Sequence, residues 1–212
     1  RYGLSVGTLP LWSEPRDNKP GKWYGYRHER LLLPLWRDNQ IVGIVARAYL
    51  PQDDGPKWLT ASFSDISDLY NIDAVTPGST VIVCENRVDA LLAQERDSRA
   101  VPVAIGGARW QEEWTQALVA RQPRRVIVWL DNDLAGCPNP RAYDTGISEW
   151  RRKMEARLNA GQIRAIPPEP QPRGPKIANE LVKAGLNATV YHWRNNAPYR
   201  ADLGALVMEV AA

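Results

Sequence analysis

The sequence is poor in the patterns that define several large protein classes. Its two cysteines, Cys84 and Cys137, lie far apart without paired spacing, which argues against a disulfide framework and gives no zinc-ligand pattern. Packing is the expected role of both. The two histidines, His28 and His192, have no partner pattern and carry no assigned role. No run approaches the ~18 apolar residues needed to cross a bilayer, and the first residues lack the charged-then-apolar order of a secretory signal. A soluble, cytoplasmic protein is expected. The chain shows no internal repeat, and its opening on Arg1 points to a processed chain or a piece of a longer one.

The 212 residues, 44% of them hydrophobic, suffice for one large or two small domains with real cores. Net charge is +3, from 27 basic and 24 acidic residues, a mild excess compatible with nucleic acid. Arginine and lysine recur before residue 60 and again at Arg121, Arg124, Arg125, Arg151, Arg152 and Lys153. A basic surface around an acidic site suits a metal-dependent enzyme acting on phosphodiesters. Each of these residues alone also fits a solvated helix face.

Residues 1–27 read as irregular structure or short strands. Two apolar runs, 31–36 and 41–49, flank Arg37-Asp38-Asn39-Gln40 and predict a covered β-hairpin. Thr76-Pro77-Gly78-Ser79 marks a boundary, after which strand and helix patterns alternate. The strands are expected at 81–84, 101–105 and 126–130, with a short fourth at 163–166. Stripes at Val88/Leu91/Leu92, Trp110/Trp114/Leu118 and Ile147/Trp150/Met154/Leu158 predict the helices between them. The fold class is thus α/β, a mostly parallel sheet covered by helices. A proline-rich connector (Pro167 to Pro175) follows, then helices at 177–184 and 203–210 with a loop at 195–198. The expected organisation is residues 1–75, 76–166 and 167–212.

The chemistry gathers at strand ends. Glu85 follows the run Val81–Cys84, and Asp131-Asn132-Asp133 follows Val126–Leu130. Ligands of open α/β sheets bind outside the carboxyl ends of the strands. Three converging carboxylates repel by about 4 kcal/mol per pair at 4 Å and intermediate dielectric, so a hard divalent cation, Mg2+ or Mn2+, is their expected partner. Asp89 falls one helical turn beyond Glu85, as an outer group or a ligand to a second ion. Gly106-Gly107 would let backbone approach a phosphate, or form a plain turn. An acid before a helix is also often only an N-cap.

These residues resemble the Toprim domain of bacterial-type primases, type IA and II topoisomerases and some nucleases. The resemblance rests on Val-Ile-Val-Cys-Glu85-Asn-Arg-Val-Asp89, on Ala-Ile-Gly106-Gly107-Ala, and on Val-Trp-Leu-Asp131-Asn-Asp133-Leu-Ala-Gly136, over about residues 80–165. Upstream, Gly43-Ile-Val-Ala-Arg47, Lys57-Trp-Leu-Thr and Leu69-Tyr70 are similar to the N-terminal half of the primase RNA-polymerase domain. Downstream, Lys176-Ile-Ala-Asn-Glu-Leu181 resembles a segment of phage and plasmid primase-helicases.

The resemblance implies a Rossmann-like Toprim sheet preceded by a mixed α+β primase-type subdomain and followed by a helical segment. It implies a metal-dependent nucleotidyltransferase that makes primers on single-stranded DNA from nucleotide triphosphates, in a phage or mobile-element replication protein. Glu85, Asp131 and Asp133 would hold the ion with Asp89 assisting, and Arg47, Lys57, Gly106 and Gly107 would meet nucleotide or template. A replicative helicase, in the same chain or in trans, is a further implied partner. Two positions depart from the pattern: Ile177 stands where the family carries an Asp associated with the second metal, and Asp65 stands where a basic residue is usual. A Toprim nuclease and a Toprim module that binds nucleic acid without reacting are rival readings of the same residues. Trp12, Trp23 and Trp58, expected in loops, are candidates for stacking on bases, whereas Trp110, Trp114, Trp129 and Trp150 are expected in the core.

Overall fold

The computed structural model describes residues 5–7, 11–13, 22–24, 29–38, 40–50, 55–61, 64, 69–106, 109–194 and 197. Gly107, Asp65, the expected loop at 195–198 apart from residue 197, and the expected helix 203–210 lie outside them. The chain divides into two units, Arg1–Asp73 and Ala74–Ala212.

The first unit is built on antiparallel pairing. Strands β1 (Ser5–Gly7), β2 (Leu11–Ser13) and β3 (Lys22–Tyr24) precede β4 (Arg30–Arg37), β5 (Gln40–Arg47) and β6 (Trp58–Thr60). Four of them form a sheet in the order β1-β4-β5-β6, and β2 pairs with β3. The β4–β5 hairpin turns through Asp38, whose φ of 49° is left-handed, the conformation Asp and Asn tolerate best after Gly. One face buries Leu33, Leu35 and Val45, and the opposite face buries Ala46 against Leu59 and Ala61. Gly43 has no room for a side chain, since a Cβ would stand 2.5 Å from Ser64 Cβ. The Ser64 hydroxyl sits there because it accepts from Ile44 N–H at 2.9 Å and donates to Ile44 C=O at 3.0 Å. Trp12 and Trp23 are not in loops, as the sequence suggests, but are backbone partners in the β2–β3 register, and Trp58 opens β6. Three-residue strands are too short to give a legible alternation.

The second unit alternates strand and helix: β7 (Thr80–Cys84), α1 (Arg87–Arg96), β8 (Ala100–Ala104), α2 (Glu112–Arg121), β9 (Arg125–Trp129), α3 (Pro140–Asn159), α4 (Arg173–Lys183) and β10 (Ala188–Val190). The sheet runs β10-β9-β7-β8 with every neighbouring pair parallel. Val81, Val83, Val103, Val126 and Val128 are almost fully buried, as expected for a parallel sheet covered by helices. The fourth strand is therefore β10 and not residues 163–166. Those residues form bends and irregular chain, with Ile166 39% exposed, so their apolar pattern is not a buried one.

Helix α4 fixes this order. Gly174, Ile177, Ala178 and Leu181 recur at helical spacing and are all buried, and α4 packs on β9 and β10. Pro175 belongs to its first turn and not to the extended connector, since a proline early in a helix sacrifices no internal hydrogen bond. Gly185, at φ 87°, closes the helix: its N–H donates to Val182 C=O at 2.9 Å, and Leu186 N–H donates to Leu181 C=O at 3.0 Å. At the strand ends, the Trp129 ring stacks on Tyr191 with centroids 4.1 Å apart, and Trp193 Nε1–H donates to Leu130 C=O at 2.9 Å. No helix among the described residues is long and apolar enough to cross a membrane.

Both cysteines are buried and unpaired with each other. Burial raises the Cys137 thiol to about 11, with a smaller upward push from the Glu85 and Asp131 carboxylates against downward ones from Leu130 backbone and Arg173. Burial likewise pushes the Cys84 thiol well up, helped by Asp89 and Asp131.

Two outcomes are expected. Leu181→Ala, which empties a fully buried site, should destabilise the protein by about 2–5 kcal/mol in urea unfolding. Because the folded state holds Cys137 protonated, its contribution to stability is complete below the unfolded thiol pKa of ~8.5 and is lost as pH rises towards about 11. The drop in midpoint over that window should shrink in Cys137→Ala, measured by thermal unfolding at several pH values.

Candidate functional site

The strand order creates a particular place at the carboxyl edge. From β7 the chain leaves through α1 to β8 on one side, while from β9 it leaves through α3 and α4 to β10 on the other. Connections that part in opposite directions leave a crevice between β7 and β9, the topological switch point at which such sheets bind ligands. Cys84 and Trp129 are level in the register. Glu85 and Leu130 come next, and Asp131 lies one residue further out. The two acidic segments singled out from the sequence therefore emerge side by side.

Neither segment is spent on capping. The N-cap of α1 is Asn86, whose Oδ1 accepts from Val88 N–H at 3.0 Å and Asp89 N–H at 3.1 Å. The N-cap of α3 is Asn139, whose Oδ1 accepts from Ala142 N–H at 2.8 Å, with Pro140 preset at the first helical position. Asparagines thus do the helix capping that would otherwise explain Glu85 and Asp131 as structural acids. Asp89 differs from these: it is 4% exposed and its Oδ2 accepts from Asn86 Nδ2. It braces the helix start reciprocally with the cap, in the manner of a capping box.

Asp133 has a local task. Its Oδ1 accepts from Ala135 N–H at 2.9 Å and Gly136 N–H at 2.8 Å, holding the turn after β9. Asp131 is half-buried and its carbonyl accepts from Cys137 N–H at 2.8 Å. Gly136 passes so close that a Cβ there would stand 2.2 Å from that carbonyl oxygen. Between the two aspartates, Asn132 is fully buried: its Oδ1 accepts from Asn139 N–H at 2.7 Å, and its Nδ2 donates to Ala197 C=O at 3.2 Å. Asp-Asn-Asp thus alternates a buried anchor with two acids at the edge.

Glu85 faces a residue that the sequence did not single out. Arg173, at the start of α4, donates to Glu85 Oε1 at 2.6 Å. Glu85 Oε2 is buried and accepts no hydrogen bond among the described residues. A buried carboxylate oxygen without a donor is costly unless a cation meets it, and an all-oxygen set of Glu85, Asp131 and Asp133 is the donor chemistry that Mg2+ and Mn2+ take. The residues fit such an ion in kind. Among the described residues no three His, Cys, Asp or Glu side chains are drawn together closely enough to hold one; Glu85 and Asp133 are each engaged by their own partner instead.

Gly106 follows β8 with a φ of 63°, and a Cβ on it would lie 2.8 Å from an Arg87 guanidinium nitrogen. Arg87, itself 9% exposed, lies against this glycine. Ile177 is 2% exposed, buried between α4 and the sheet; packing is what it contributes. In the other unit, Arg47 and Lys57 come together where β5 meets β6. Arg47 pairs with Trp58 and its guanidinium lies 5.1 Å from that ring's centroid, Ala48 N–H donates to Lys57 C=O at 3.0 Å, and Lys57 is exposed.

Arg173 and Arg87 were the residues missed. Arg87 sits inside the quoted motif and carried a signal as a cation in the first turn of a helix, where positive charge is disfavoured. Arg173 is separated from Glu85 by 88 positions, and no local spacing could pair them.

No protein-family model matches the chain, and none of the curated proteins compared is similar to it. Solved structures are. A DNA primase domain from Pseudomonas aeruginosa superposes with a TM-score of 0.54 at 16% identity, over 94% of this chain and 52% of that one. The Escherichia coli primase catalytic core gives 0.51 at 15% identity, over 96% and 62%. A DnaG primase catalytic domain bound to single-stranded DNA gives 0.50 at 16% identity, over 96% and 61%. The chain spans between 52% and 62% of these neighbours' length. At such identities the likeness is one of fold, and the fold is that of bacterial primase catalytic cores.

Proposed function

We propose that this chain is a primase-like catalytic core that transfers nucleotides onto a primer along single-stranded DNA. Its parts are a primase-type N-terminal subdomain (1–75), a Toprim domain (76–166) and a connector with a helical segment (167–212). The observation that carries the reading is the emergence of Glu85 and Asp131-Asn132-Asp133, with the capping of α1 and α3 left to Asn86 and Asn139, at the switch point of a sheet with the fold of primase cores. The phage and plasmid character of the Lys176–Leu181 segment supports a cytoplasmic replication protein of a mobile element, with a helicase in the same chain or in trans.

Glu85, Asp131 and Asp133 would hold Mg2+ or Mn2+, which when bound neutralises triphosphate charge and lowers the pKa of the attacking hydroxyl. The chain's own residues do the remaining work. Asp133 tightens the turn that presents both aspartates, Asn132 fixes the turn from below, and Asp89 holds the start of α1 and with it the backbone leaving Glu85. Arg47 and Lys57 meet triphosphate or template phosphates as charge-assisted donors, the Arg47 guanidinium lying over the Trp58 ring. The specific support for the rival reading, a module that binds without reacting, is the pair of departures Ile177 and Asp65.

The test is primer synthesis from labelled nucleotide triphosphates on single-stranded DNA with Mg2+ or Mn2+. The native chain is expected to incorporate nucleotide and Asp131→Ala to fall by about 10²-fold or more. Template cutting without incorporation would instead identify a nuclease, and binding without either reaction would identify the silent module. A second measurement addresses the N-terminal unit. Arg47→Ala and Lys57→Ala should each weaken single-stranded DNA binding and reduce the slope of log K against log salt by about 0.7 per lost phosphate contact. Unchanged slopes would remove both residues from the nucleic-acid path.

A further inference from the structure

Arg173 is held in place more firmly than a surface ion pair requires. Its N–H donates to Ala135 C=O at 3.0 Å, its Nε–H donates to the same carbonyl at 2.9 Å, and Gly174 N–H donates to Gly136 C=O at 3.0 Å. Gly174 itself admits no side chain, because a Cβ would fall 2.0 Å from Cys137 Sγ. The start of α4 is thereby clamped onto the turn that carries Asp131 and Asp133, and the guanidinium is aimed across the crevice at Glu85. The two side chains are only 29% and 19% exposed, so water screens their attraction incompletely. One carboxylate oxygen is used by the arginine and the other, Oε2, is buried with no hydrogen-bond partner among the described residues.

We propose that Arg173 is a built-in counter-ion of Glu85 that positions this carboxylate and competes with the divalent cation for it. The inference rests on the metal reading given above. A guanidinium and a divalent ion on one carboxylate repel each other, and Glu85 can serve the ion fully only by loosening the arginine. The rigid fork is suited to this: it satisfies Ala135 and Glu85 together, a geometry that the single ammonium of a lysine cannot reproduce. The ion-free site is therefore ordered, and affinity for the ion is set by the exchange of one cation for another.

The experiment is titration of the full chain with Mn2+ alone, followed by the paramagnetic resonance of the free ion, alongside urea unfolding without metal. Arg173→Gln should bind Mn2+ about tenfold more tightly, equivalent to ~1.4 kcal/mol, while being less stable without the ion. A purely structural role would lower stability without raising affinity. Arg173→Lys, which keeps the charge and serves if the glutamine variant does not fold, should gain about threefold. Adding Glu85→Gln to either variant should erase the gain, which places the ion on Glu85. Equal or weaker binding by folded Arg173 variants, beside a native chain that does bind, overturns this proposal and leaves the metal reading standing. A gain that survives Glu85→Gln also overturns it. Absence of binding by the native chain and all variants overturns both.

Discussion

Like charges delivered to one edge of a parallel sheet are the constraint that shapes this protein. Parallel strands point their carboxyl ends the same way, so residues that follow β7 and β9 must share a crevice, and here these residues are acids. The fold answers with separate partners: Arg173 for Glu85, the Ala135 and Gly136 amides for Asp133, and Asn86 for Asp89. Each arrangement requires a precise backbone, which is why the region contains close approaches that exclude a Cβ at Gly136 and Gly174. A clamp of backbone hydrogen bonds from α4 then holds the acidic turn to the helix that supplies the cation.

The division of labour between asparagine and acid follows from the same constraint. Asn and Asp cap helices about equally well, so an Asp at position 86 or 139 would serve locally. Either would add another negative charge to an edge already crowded with them. Neutral caps at Asn86 and Asn139, and a neutral buried anchor at Asn132, give the required hydrogen bonds without raising the repulsion. The acids that remain are those facing the crevice, together with Asp89, whose burial is compensated by the cap it braces.

How much of this was legible in the sequence depended on whether a signal was local. The strands β7 and β9 could be read because Val81–Cys84 and Val126–Leu130 are dense apolar runs that end in acid, whereas α4 was expected only at 177–184, its first turn being assigned to the proline-rich connector. Strand β10 was missed: Ala188–Val190 is only three residues long and lies at the sheet edge, half-buried at every position, so it has neither the length nor the pattern of a core strand. Residues 163–166 had the pattern and are exposed at Ile166, because no partner strand awaited them. The acids were found through strand ends, a local feature. The contact of Arg173 with Glu85 could not be found that way, since it exists only once α4 has docked.

The face of α4 turned to the sheet carries this argument one step further. Arg173 and Ile177 are four residues apart, on one side of the helix, and the family resemblance places an acid where Ile177 stands. An acid there would be buried, at 2% exposure, between the helix and the sheet. The apolar side chain removes one negative charge from the neighbourhood, and Arg173 adds one positive charge. A chain with this helix face needs less external positive charge to balance its acids than one with an acid at position 177, and the arginine gives up none of the translational entropy that a free ion loses on binding.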